Sequence, residues 1–99
     1  MHISQRSYAG TLESSDLLVE VTPSGGGHLK IDITSSVEKQ FEPIIRQVVT
    51  HTLEEMGVSS AIVTINDKGA LDCVIRARVQ AAVMRAANIA NNDIIWGAI

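Results

Sequence analysis

Aromatic side chains are nearly missing from this chain, with one Phe, one Tyr and one Trp in 99 residues. A platform that stacks the bases of a single strand needs several such rings, so that function is disfavoured. Basic residues are in the minority, eight against eleven acidic ones for a net charge of −3, which argues against a phosphate-backbone binder. Cysteine occurs once, at Cys73, so no intrachain disulfide can form and a reducing cytoplasm is the simple expectation. No run approaches the ~18–20 apolar residues that cross a bilayer. Met1-His2-Ile3-Ser4-Gln5-Arg6 lacks the apolar stretch behind a positive patch that marks a secretory signal. What is present is 45% hydrophobic residues, enough for one core, and domains cluster near ~100–150 residues. Residues 1–99 are therefore expected to form a single domain.

Hydrophobic periodicity divides the chain. Residues 1–16 follow neither period and read as an exposed arm, or as a short edge strand followed by a loop, although Ile3, Tyr8 and Leu12 are each able to bury. Residues 17–34 read as an antiparallel hairpin. Leu17 to Val21 is β-branched and leucine-rich, Thr22-Pro23-Ser24-Gly25-Gly26-Gly27 breaks it, and Leu29, Ile31 and Ile33 then alternate with polar residues. Residues 35–57 switch to the helical period, with Val37, Phe41, Ile44, Ile45, Val48, Val49, Leu53 and Met56 on one face. Ser35-Ser36-Val37-Glu38 fits a capping box and Gly57 a helix stop. Pro43 either kinks this helix or opens its main part as a first-turn residue. Residues 58–66 read as a strand, Asp67-Lys68-Gly69 as a turn, and Leu71 to Ala86 as a second amphipathic helix rich in alanine. Residues 88–99 form an irregular tail with Ile94, Ile95 and Trp96 as its apolar residues. Two helices need one apolar surface to cover. The pattern therefore predicts an α+β two-layer sandwich: a small, mostly antiparallel sheet of three or four strands under two helices, in the order β(β)β-α-β-α.

Constellations for chemistry are sparse. His2, His28, His51 and Cys73 lack metal-ligand spacing. Cys73 with His51 is the only nucleophile–base pairing on offer, and Cys73 near the apolar stripe of the second helix is better read as a small hydrophobe. Gly25-Gly26-Gly27 joins two strands, not a strand and a helix, so it does not fit a phosphate cradle. Arg76, Arg78 and Arg85, with Lys68 before them, read as a solvated face, or as a modest basic patch for a carboxylate-rich partner or a phosphate. The segment Gly10-Thr11-Leu12-Glu13-Ser14-Ser15-Asp16 is small, polar and open. A serine between two carboxylates with no basic neighbour is a poor nucleophile on its own account, yet it is a good acceptor for an enzyme that brings its own base.

Three blocks together carry a resemblance. Ala9-Gly10-Thr11-Leu12-Glu13-Ser14-Ser15-Asp16 resembles the prosthetic-group motif of the acyl carrier (gamma) subunit family of citrate lyase. Ile33-Thr34-Ser35-Ser36-Val37-Glu38-Lys39-Gln40-Phe41 and Asn66-Asp67-Lys68-Gly69-Ala70-Leu71-Asp72-Cys73-Val74-Ile75-Arg76-Ala77-Arg78 resemble the central segments of that family. Length, order and spacing agree over about residues 1–88. The resemblance implies a non-catalytic carrier. Ser14 would hold 2'-(5''-phosphoribosyl)-3'-dephospho-CoA through a phosphodiester, with Glu13, Ser15 and Asp16 as the recognition loop around it. It also implies partners: an alpha subunit that exchanges acyl groups, a beta subunit that cleaves the citryl thioester, a prosthetic-group transferase and an acetylating ligase, all serving citrate fermentation. Ser15 departs from the family's pattern, which places Gly after the modified serine, and the tail keeps its Trp but little else. Alternatives are the carrier subunit of malonate decarboxylase, which bears a similar group, and a small interaction or regulatory domain with no prosthetic group.

Overall fold

The most β-branched stretch of the chain, Ile62 to Ile65, takes an inner place in the sheet. In the computed structural model, which describes residues 2–35 and 41–87, the elements are β1 (Ser7–Gly10), β2 (Leu17–Thr22), β3 (Leu29–Ser35), α1 (Glu42–Glu55), β4 (Ala61–Asp67) and α2 (Asp72–Ala86). The order across the sheet is β1-β2-β4-β3. Pairs β1–β2 and β2–β4 are antiparallel and β3–β4 is parallel. Four strands, two helices and the predicted order of elements are all present.

The expected hairpin between β2 and β3 does not form, because β4 lies between them. Two constraints explain the difference. The β3–α1–β4 crossover is long enough to demand a parallel neighbour, which a two-residue turn cannot supply. The link over residues 23–28 can also step past one strand, a span of roughly 10 Å at the usual spacing. Alternation in β4 buries Ala61, Val63 and Ile65 completely, which a strand at the rim of the sheet would not achieve.

One face of the sheet is apolar. Leu17, Val19 and Val21 of β2 join the β4 residues beneath the helices, together with Val49 and Leu53 of α1 and Ile75, Val79, Ala82 and Val83 of α2. Tyr8, Glu20, Thr64 and Asp32 sit in one cross-strand row on the other, polar face. Ala82 and Ala86 are fully buried and small, which lets α2 approach β1 closely enough for the Ser7 hydroxyl to donate to the Ala82 carbonyl at 2.5 Å. The N-terminal segment is tied to the same helix: Ile3 is buried, and the Ser4 and Gln5 amides both donate to the Ala86 carbonyl at 3.0 Å. Of the two readings of residues 1–16, the short edge strand followed by a loop is the one that forms. Tyr8 and Leu12 stay exposed.

Pro43 falls in the first turn of α1, so the helix starts there without a kink. The capping box predicted at Ser35 and Glu38 runs through residues 36–38, outside the described residues. Ser35 closes β3, its hydroxyl donating to Asp67 at 3.0 Å, while the tail 88–99 also lies outside the described residues. At the other end, Gly57 adopts φ +72, and the Gly57 and Val58 amides donate to the Glu54 and Leu53 carbonyls at 3.0 Å each. That is the Schellman closure, and it confirms the predicted stop.

Both rims of the sheet are met by an arginine. Arg85 of α2 donates to the Tyr8 carbonyl of β1 at 2.7 Å, and Arg46 of α1 donates to the Ile31 carbonyl of β3 at 2.9 Å. Each bond occupies an acceptor on a strand that has a neighbour on one side only.

Candidate functional site

The loop between β1 and β2 holds the serines. It leaves the sheet at Gly10, whose φ of +96 turns the chain outward, and returns at Leu17. The Thr11 amide donates to the Leu17 carbonyl at 3.2 Å and closes its neck. At its apex the Asp16 amide donates to the Glu13 carbonyl at 3.2 Å, which makes Glu13–Asp16 a four-residue turn with Ser14 and Ser15 at its centre. Ser14 is exposed, and among the described residues its hydroxyl has no hydrogen-bond partner.

Although its apex is open, this loop is fastened down. The Ser15 amide donates to the Lys68 carbonyl and the Lys68 amide to the Asp16 carbonyl, both at 2.9 Å, so the turn after β4 clasps the loop from the side. Asp16 is the centre of the fastening. Its carboxylate accepts from Arg78 Nε at 3.1 Å and a second Arg78 nitrogen at 3.0 Å, from the Thr11 hydroxyl at 2.7 Å and from the Leu17 amide at 2.7 Å. The Arg78 guanidinium, and after it the Thr11 hydroxyl, hold this carboxyl down at about 2. A group so thoroughly hydrogen-bonded and so acidic is a poor proton acceptor near neutral pH.

Ser15 has φ +65, the left-handed region that a turn of this kind reserves at its third residue for glycine. Glycine would adopt this conformation without a steric penalty, and Ser15 meets the same demand at a cost of roughly 1–2 kcal/mol. Ser15→Gly relieves it and gives back part of the gain as chain entropy. We expect the variant to be more stable by about 0.5–1 kcal/mol in a denaturant titration, and a loss of stability would contradict the assigned turn.

The structure thus brings Glu13, Ser14, Ser15 and Asp16 together on one turn. It also adds two contributors from outside the loop that the sequence reading did not assign there, Arg78 and the Lys68 backbone. The three arginines of the predicted basic patch are paired within the chain. Arg78 clamps Asp16, Arg76 pairs with Glu55, and Arg85 holds Tyr8. Cys73 is exposed and not part of the core, contrary to expectation. His51 and Cys73 do line one open groove of about 630 Å³ with Ile44, Gln47, Val48, Asp72 and Arg76, where His51 Nε2 lies 3.7 Å from Glu55. Among the described residues no group of His, Cys, Asp and Glu is placed to hold a metal ion, and no helix is long and apolar enough to cross a membrane.

A family model described as malonate decarboxylase delta subunit (MdcD) matches residues 4–86. The citrate lyase acyl carrier protein of Vibrio cholerae serotype O1 is 59% identical over 91 residues, covering 92% of this chain and 93% of that protein. The citrate lyase acyl carrier protein of Clostridium perfringens is 50% identical over 97 residues, covering 98% and 94%. Citrate lyase acyl carrier protein 2 of Salmonella typhimurium is 46% identical over 99 residues, the full length of both. In fold, the chain is similar to one in a Pseudomonas malonate decarboxylase hetero-tetramer in complex with malonate, with a TM-score of 0.64, 24% identity, and coverage of 87% and 92%. With near-complete coverage at this identity, the chain belongs to the citrate lyase acyl carrier protein family, and is a carrier subunit, not a catalyst.

Proposed function

We propose that the chain carries acetyl and citryl groups as thioesters on 2'-(5''-phosphoribosyl)-3'-dephospho-CoA, joined through a phosphodiester to Ser14 Oγ, within a cytoplasmic citrate lyase. The observation that carries this reading is the Ser14 hydroxyl itself: exposed, unpartnered and held at the apex of a turn anchored on both sides. Attachment needs an oxygen that can approach the phosphorus of an activated donor without first breaking a bond within the protein, and Ser14 satisfies that. It also needs a base. Asp16 is too acidic and too fully hydrogen-bonded to serve, so the base belongs to the transferase. The Ser14 proton passes to that base as the O–P bond forms and the donor's leaving group departs. Glu13 and Asp16 keep the apex acidic and solvated, and so give the transferase a charged handle.

The arm's thiol supplies the activated acyl linkage, and the protein supplies its address. A rigidly anchored turn with a long tether raises the local concentration of the acyl group at successive partner sites without requiring the domain to change shape. An alpha subunit exchanges acetyl for citryl, a beta subunit cleaves the citryl thioester to oxaloacetate and the acetyl carrier, and a ligase acetylates the free thiol. The malonate decarboxylase carrier is the second reading. The family model and the similar fold favour it, while identities of 46–59% to citrate lyase carriers favour the first.

Intact-mass spectrometry of protein co-expressed with the transferase tests the attachment. Wild type and Ser15→Ala are expected to gain the full increment of the group, and Ser14→Ala none. An unchanged wild-type mass, or an adduct that survives Ser14→Ala, rejects the assignment.

A further inference from the structure

The residues on either side of Lys68, which clasps the serine turn, open onto a second groove. Asp67, Gly69, Ala70, Asp72 and Ile75 line it from the β4–α2 side, and Phe41, Ile44 and Ile45 line it from the start of α1, around about 220 Å³. Phe41 and Ile44 are 43% and 49% exposed, and Leu71, next to Ala70, is 70% exposed. Large apolar side chains grouped in this way mark a surface that something covers. The space is smaller than the ~300–1,000 Å³ that whole drug-sized ligands occupy, so a nucleotide does not fit but the end of a chain does.

Its position puts it within reach of a chain tethered at Ser14. From Ser14 the path runs to Ser15, across the 2.9 Å bond to Lys68, and on to Gly69, roughly 13 Å in all. We propose, resting on the reading of Ser14 as the attachment point, that this groove receives the pantetheine end of the arm when it bears a free thiol or an acetyl group, and excludes it when it bears a citryl group. A flexible tether whose reach exceeds this distance gives an effective concentration on the order of mM, so even a weak apolar contact is substantially occupied. Acetyl and thiol ends bring no charge into the groove. A citryl end brings carboxylates that have to shed water against apolar walls and beside Asp72, which already sits in the first turn of α2 and answers the positive end of that helix. Loading by the acetylating partner therefore leaves the thioester sheltered, and exchange to citryl releases the arm towards the cleaving subunit.

The test uses the modified full chain in a Cys73→Ser background, because the exposed Cys73 thiol would otherwise react too. With the mass increment at Ser14 verified first, reaction of the arm's thiol with a disulfide reagent is timed in the parent and in Ile44→Asp. Ile44 is half-exposed, and a melting curve checks that the variant is folded. The variant is expected to react roughly fivefold faster, the relief of protection enjoyed by a group docked about four-fifths of the time. Backbone amide signals of Ala70 and Ile75 should shift when the arm is attached, hold their positions on acetylation and return on citrylation. Equal thiol rates with unmoved amides, on a chain carrying the full increment, overturn this inference alone. A missing increment overturns the Ser14 reading and this inference with it.

Discussion

Replacing Gly10 by alanine is expected to destabilise the domain by about 3–4 kcal/mol, and to lower its thermal midpoint by roughly 15 °C or more. A Cβ on Gly10 would lie 1.8 Å from the Leu17 carbonyl oxygen and 3.0 Å from its carbon, both backbone atoms that cannot swing aside. The backbone there also has φ +96, a conformation that L side chains rarely adopt. Relief has to come from parting β1 and β2 where Gly10 pairs with Leu18, which opens the neck of the serine loop. A domain of this size has only ~5–15 kcal/mol of stability in all, so the loss is a large share of it. Circular dichroism melts of the two proteins read the effect directly. A drop of less than about 1 kcal/mol would show that the neck is not as tight as described.

Asp16→Asn is the second large effect, because one side chain answers four donors. Its sign with pH is fixed by the direction of the shift. The carboxyl titrates at about 2 in the folded chain against 3.8 when free, so its stabilisation is complete above pH ~4 and is lost as pH falls towards 2. Arg78 is 42% exposed, so solvent screening reduces the contribution to about 1 kcal/mol. Wild type should lose that amount between pH ~4 and ~2, and Asp16→Asn should show a flatter profile over the same window with lower stability at pH 7. Transfer to Ser14, the proposed attachment point, should slow as well, by roughly fivefold if the turn must be rebuilt at a cost of about 1 kcal/mol before transfer. Parallel pH profiles for the two proteins would remove Asp16 from the centre of the loop. Arg78→Lys, which keeps the charge but not the two-pronged geometry, should fall between them.

Which features the sequence could announce follows from their range along the chain. Gly57 stopping α1, the alternation in β3, and the apolar stripe through Ile75, Val79 and Val83 are local, and each was readable from its own neighbours. The insertion of β4 between β2 and β3 was not, because the glycine-rich segment before β3 looks the same whether it closes a hairpin or crosses over a strand. For the site, openness of the loop was legible from small polar residues. Its fastening was not, since Asp16 and Arg78 are 62 positions apart and each had an ordinary alternative as a solvated charge. Ser15 lies between these cases. Its departure from the glycine that the resemblance implies was visible, but only the turn shows that this position asks for a left-handed backbone.

The two guanidinium contacts on Tyr8 and Ile31 bear on how such a subunit behaves in company. Bare ribbon margins would let identical copies of the chain zip together into fibrils. With a cation latched onto each margin, self-association has to begin by prising off a charged side chain, whereas the serine turn, at the end of the sheet, stays open to every visitor.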